Sequence, residues 1–273
     1  MSLHTKEILM LTGVFTATKK DGTIYFRSSI TYRSKHISLG SYDTEEMAHQ
    51  AYLDASAVFE SSSIFSPEDY SKKICKVLSF QKWITLINFK NNKIYIKTPI
   101  YLRSRYFYYY LSFHDVLIFD ADDLFYYSKH SIMRRGNHLF VAEYGMQTNI
   151  ASRYGIRNFA RPGIDFRFVN GNSNDFRYEN IEVFNKFQGV TVVTSDTTAS
   201  TRYITKIHIN GNYTVGEYDS LTQAAIAYNK AVDIVLKKGI QKNFTKNYIE
   251  EMSAQEYSEI YSHTDISEKI INL

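Results

Sequence analysis

Three arginines, Arg153, Arg157 and Arg161, recur at i, i+4 and i+8 in a stretch, 150–160, that reads as helical and stops before Pro162. On a helix that spacing sets side chains on one face. A row of permanent cations suits phosphate oxygens, whose contacts position a nucleic acid without reading its bases. Arg167 and Arg177 follow soon after and are expected to join the row. Asp165, Asp175 and Asn180 lie in the same region and could gather a divalent metal, but they bring no evident base. The eight histidines show no His-x-x-x-His or similar ligand spacing. A lone cysteine, Cys75, rules out an internal disulfide and a cysteine-based zinc site.

The net charge of +4 is unevenly placed. Residues 1–70 carry six basic against nine acidic side chains, 71–187 carry eighteen against nine, and 188–273 carry eight against ten. A basic middle between acidic ends implies a polyanionic partner for the middle. With 23 Tyr and 18 Phe the chain leans toward sheet. Residues 1–11 lack the apolar run of a signal peptide, and no segment approaches the ~18 apolar residues of a membrane span. The single cysteine fits a reducing compartment, so a cytoplasmic location is expected.

The elements that position these residues are duplicated. Gly13 and Gly189, Gly40 and Gly216, Tyr42 and Tyr218, Asp43 and Asp219, and Ala51-Tyr52 and Ala227-Tyr228 all stand at one offset, 176. Chance would not hold one offset over so long a stretch. Each copy reads as two strands in a hairpin, a short third strand and a helix. The second strands are 25–32 and 202–209, and the third are 36–39 and 212–215. Asn210-Gly211 predicts a two-residue turn with both residues at φ > 0, and the first copy has the longer Arg33-Ser34-Lys35 there. Asp43-Thr44-Glu45-Glu46 and Asp219-Ser220 are helix entries. Met47, Ala48, Ala51, Tyr52 and Ala55 form one helix face, and Ala224, Ala225, Ala227, Tyr228 and Ala231 the other.

Gly-Val, a hairpin, Leu/Val-Gly-x-Tyr-Asp-(Ser/Thr) and an Ala-x-x-Ala-Tyr helix resemble the APETALA2-type DNA-binding domain, and Asn243-Phe244 resembles its closing pair. The resemblance implies a three-stranded sheet in the DNA major groove with the helix on its back. Alternation then puts Arg27, Ser29, Thr31 and Arg33 on the DNA face of the first copy, joined by Lys35 and His36. The second copy presents Ile204, Lys206 and His208 there, a thinner cation set that reads as closer to scaffold.

Between the copies, 82–119 reads as strands: 83–89, an Asn91-Asn92 turn and 93–98 as a hairpin, then a Tyr-rich 103–113 with one buried face. From about 116 onward the chain resembles an HNH endonuclease domain, most closely at Asn170-Gly171-Asn172 and at Asp175-x-Arg177-x-Glu179-Asn180-Ile181. That family needs an Asp-His pair before the Asn-Gly turn, the His as general base and the Asp toward a metal. Here the pair is Arg167 and Phe168, which provide neither ligand nor base. Ser152 and Phe176 stand where the family has His and Asn.

The expectation is therefore an α+β chain: an APETALA2-like module (1–70), a basic centre (71–187) with a degenerate HNH-like ββα segment (116–187), and a second module with a C-terminal helix (188–273). Ser253-x-x-Glu256 marks the start of that helix. The expected function is double-stranded DNA binding by a relative of phage homing endonucleases, without catalytic residues, metal or cofactor, and acting as a regulator. The DNA-binding set is Arg27, Arg33, Lys35, His36, Arg153, Arg157, Arg161, Arg167, Arg177, Lys206 and His208. A protein-interaction factor and an active HNH-type nuclease are the alternatives.

Overall fold

A computed structural model describes residues 11–143, 145–158, 160–194, 201–250 and 252–273, the side chain of Thr194 excepted. The segment 1–10, most of the stretch read for a signal peptide, lies outside the described residues. The fold is α+β with small antiparallel sheets, and contacts divide it into two compact units, Met1–Thr148 with Ser173–Tyr178, and Asn149–Asn172 with Glu179–Leu273.

The first unit opens with the first repeat copy. Strands β1 (Val14–Thr18), β2 (Ile24–Tyr32) and β3 (Lys35–Tyr42) form a sheet in that order, and α1 (Glu45–Glu60) packs on one face. Thr44 caps the helix by accepting from the Met47 N–H at 3.2 Å. Ala48, Ala51 and Ala55 are fully buried and let the helix approach Ile37 and Leu39 closely, while Met47, expected on that face, is exposed.

The next expectation fails. Residues 83–98 do not form a hairpin; Phe80–Asn92 is one helix, α2, capped by Ser79 and ended by Lys93 at φ 64°. Trp83 through Lys90 are all buried, so nearly every face of the helix is covered and no apolar stripe repeats at helical spacing. α2 shares a core with α1: Lys90 Nζ donates to the Val58, Ser61 and Ser63 carbonyls at 2.7, 2.8 and 2.8 Å. Strands β4 (Ile100–Leu102), β5 (Tyr106–Tyr110) and β6 (Val116–Asp120) form a second sheet. Phe107 and Tyr109 are buried on one face of β5, but Tyr110, on the other face, is buried as well, in the core that holds α2, so the strand is not covered on one face alone. A short α3 (Leu124–Tyr127) precedes the sheet of β7 (Ile132–Arg135), β8 (His138–Glu143) and β9 (Met146–Asn149). Residues 173–178 return to β6, where Ile118 bridges Asp175 and Phe176 stacks on Phe119.

In the second unit β10 (Phe166–Phe168) pairs with β11 (Ile181–Val183). The second repeat copy follows: β12 (Val190–Thr194), β13 (Thr201–His208) and β14 (Asn212–Tyr218) in one sheet, with α4 (Leu221–Lys237) on its face. The apolar set Ala224, Ala225, Ala227, Tyr228 and Ala231 is buried as read from the sequence. Helix α5 (Ala254–His263) starts at Ser253 with the expected reciprocal Ser253–Glu256 cap, and α6 (Glu268–Ile271) packs Ile270 into the same core.

The two copies share fine detail. Both interrupt the pairing of their second and third strands, between Ser28 and Ser29 and between Thr205 and Lys206. Both start at a left-handed glycine, Gly13 at φ 78° and Gly189 at φ 74°, whose carbonyl accepts from Ser29 and Lys206. An added Cβ would come within 2.2 Å of the Tyr52 ring at Gly13 and 2.3 Å of the Tyr228 ring at Gly189. The turns differ from expectation. The first copy holds the two-residue left-handed turn, with Arg33 at φ 47° and Ser34 at φ 61°, and the second closes over 209–211 without positive φ. There Lys242 Nζ donates to the His208 and Ile209 carbonyls at 2.9 and 2.8 Å, and so holds the loop from outside.

Candidate nucleic-acid interface

The second unit contains a cleft of about 710 Å³ at the edge of the β12–β13–β14 sheet. It forms where β12 begins: Gly189 is the last backbone to meet Lys206, so β13 runs on beyond its neighbour toward His208. One wall is Lys206, His208 and Asn212. A second is the segment 242–245 after α4, and a third is Arg157, Asn158, Ala160 and Arg161 with Asp165. Arg157, Arg161, Lys206 and Lys242 line it against one carboxylate, Asp165, among the described residues.

Buried amides fix these walls. Asn229 and Asn247 exchange two bonds, Asn229 Nδ2 donating to the Asn247 carbonyl at 2.9 Å and the Asn247 N–H to Asn229 Oδ1 at 2.7 Å. The Asn247 side chain accepts from the Gln188 N–H at 2.6 Å and donates to the Gln188 carbonyl at 3.1 Å, which ties the segment after α4 to the start of β12. Arg157 reaches the same knot, donating to Gln188 Oε1 at 2.7 Å and to the Lys186 carbonyl. Burial pulls its guanidinium below the ordinary value, yet an arginine stays charged. Asp165 is buried and occupied: its Oδ2 accepts the Arg161 N–H at 2.8 Å and its Oδ1 the Asn185 amide at 2.9 Å. Arg161 also donates to the Val192 carbonyl at 2.9 Å, but its side chain is 47% exposed. The Lys206 side chain is exposed and forms no hydrogen bond or ion pair among the described residues, so it is the cation most available to a ligand.

The expected arginine row does not exist as a helical stripe. A 3-10 turn, Ile150–Tyr154, ends at Gly155 with φ 75°, and no helix follows it before Pro162 among the described residues. The left-handed glycine breaks the period, so Arg157 and Arg161 meet the cleft while Arg153 stays exposed on the turn outside it. Arg167 is paired with Glu182 at 2.7 Å and lies over the Phe184 ring. Arg177 belongs to the first unit, where it grips buried Asp175 at 2.7 Å and lies over Tyr106. Neither joins the cleft. Asp175 and Asn180 are each engaged locally: Asp175 accepts from Arg177, and Asn180 Oδ1 accepts the Asn170 N–H at 2.8 Å to close the Asn-Gly turn. Among the described residues no three His, Cys, Asp or Glu side chains come together as metal ligands.

In the first copy Arg27, Lys35 and His36 are exposed. Arg27 pairs across to Phe15 and Ser41 on the face away from α1, and His36 pairs with Thr31 on the same face. Phe15 is 51% exposed there, an aromatic that sequence reading passed over. Arg33 sits in the turn over Tyr32 instead of on the face, and Lys35 lies over Tyr95. Lys242 was also missed, because it follows α4 in a segment without periodicity and reaches the cleft only through the Asn229–Asn247 knot.

Among the described residues no helix is long and apolar enough to cross a membrane. No protein-family profile, curated protein or solved structure matches the chain.

Proposed function

We propose that this chain is a double-stranded DNA-binding protein built on an endonuclease-like scaffold that has lost its catalytic pair, and that it serves as a regulator in a phage or mobile element. The observation that carries the reading is the meeting of Arg157, Arg161, Lys206 and Lys242 around one cleft with a single, already occupied carboxylate. Four cations in one place would release counterions from a phosphate backbone, and that release drives much of the affinity of proteins for DNA. Arg27 and His36 offer a second contact face on the first module, and two linked contacts raise affinity through effective concentration.

The support for an inactive nuclease is chemical. At the place where a general base and a metal-ligating carboxylate would stand, Arg167 and Phe168 offer a guanidinium already bound to Glu182 and a phenyl ring. Arg161→Glu with Lys206→Glu should lower affinity for a short duplex by about tenfold or more at low salt, read by fluorescence anisotropy. Wild-type protein that fails to bind duplex at low salt would remove the DNA-binding reading and favour a protein partner. Metal-dependent plasmid cleavage lost in Asn180→Ala would favour the nuclease.

A further inference from the structure

We infer that the cleft takes one unpaired nucleotide of a DNA strand, its phosphate on Lys206 and Arg161 and its base toward Asn158, Asn243 and Phe244. The inference rests on the DNA-binding reading and sharpens what this part of the surface binds.

Shape is the first reason. DNA grooves receive convex elements, a helix or a two-stranded ribbon. A concave cleft of about 710 Å³ lies in the size range of small-ligand sites, and paired, stacked bases cannot enter it. A base reaches such a site only from a strand end or after leaving the stack.

The lining is the second reason. Cations alone would describe a plain anion site, but amides and an aromatic ring stand beside these. Asn212 is committed to His208 Nδ1 at 3.0 Å and Gln188 to Arg157. The side chains of Asn158 and Asn243 line the cleft, are exposed and form no hydrogen bond among the described residues. An amide offers both donors and an acceptor, the pattern that a base edge requires. Phe244 is half-buried in the module core and lines the cleft next to them, as a stacking surface would. Neither lysine is tied to a carboxylate among the described residues: Lys206 has no ion pair, and Lys242 Nζ is held by two carbonyls.

The third reason is that the first copy has no counterpart. By strand register, Ser29 and Thr31 take the places of Lys206 and His208. The duplicated fold does not require this cation set, so it reads as an addition for a ligand.

The test uses the full chain and three probes. An equimolar mixture of the four deoxynucleoside monophosphates is titrated by ligand-observed NMR and compared with inorganic phosphate. Separately, a blunt duplex is compared with the same duplex carrying a single-stranded 5′ extension. The nucleotides should bind about tenfold more tightly than phosphate, and the extended duplex several-fold more tightly than the blunt one. Asn158→Ala with Asn243→Ala should erase both preferences and leave blunt-duplex affinity nearly unchanged. Equal binding of phosphate and nucleotides, or of the two duplexes, would overturn the inference and leave a plain anion site. Failure of the blunt duplex at low salt with nucleotide binding retained would instead defeat only the DNA-binding reading, and loss of both would defeat both.

Discussion

Gly13 and Gly189 show what a single residue type does in this chain. Each has a left-handed φ and meets a helix tyrosine where a side chain would collide. The shared offset marked both glycines in the sequence, but not the reason, which needs the tyrosine ring brought across from the helix. Gly189→Ala would put a Cβ 2.4 Å from the Lys206 carbonyl as well as against Tyr228, so backbone must move. It should cost about 2–4 kcal/mol by urea unfolding, whereas Gly22→Ala, with φ 86° and open space, should cost only about 1 kcal/mol. Equal losses at the two sites would refute the steric explanation. Arg167 and Arg177 teach the opposite lesson. Their charge was plain in the sequence, but the partners that occupy it, Glu182 and Asp175, were not.

Among elements, both repeat helices were legible because small apolar residues recur on one face and a Thr or Ser cap opens each. Helix α2 was not, since burial on nearly all sides erases the stripe that marks a helix. Its Lys90 is only 9% exposed and serves the end of α1, whose last turn has no basic residue of its own. Lys90→Met keeps the volume but leaves the Val58, Ser61 and Ser63 carbonyls without their donor. A loss of about 2–3 kcal/mol in chemical denaturation is expected; an unchanged midpoint would mean water replaces the ammonium at no cost. The 150–160 stretch failed for a local reason, Gly155, whose left-handed φ ends the helical turn before Arg157.

At the scale of the whole molecule, alkaline stability follows from buried hydroxyls. Burial pushes Tyr42, Tyr218 and Tyr261 up to about 12 from an ordinary 10, and the Cys75 thiol up to about 12 from 9. Each group releases its proton earlier when unfolded, so its stabilising effect is complete below the unfolded value and is lost as pH rises through the folded one. The urea midpoint should therefore fall between pH 9 and pH 12, and Tyr218→Phe should flatten the upper part of that fall. A midpoint that rises over this range would contradict the assignment.

Charge is also a property of the whole chain. The excess of eighteen basic over nine acidic residues in 71–187 was visible in the sequence, and so was the thin cation set of the second module. What could not be read was that Arg157 and Arg161 pack beside that module and join Lys206 and Lys242, so the copy that looked closer to scaffold carries the cation-lined cleft. The most direct measurement is the slope of log affinity for duplex DNA against log salt, for wild type and Lys206→Gln. Wild type should bind with a steep negative slope, and the variant should bind more weakly with a slope shallower by about one, the share of one phosphate contact. Identical slopes for the two proteins would contradict the placement of DNA on this cleft.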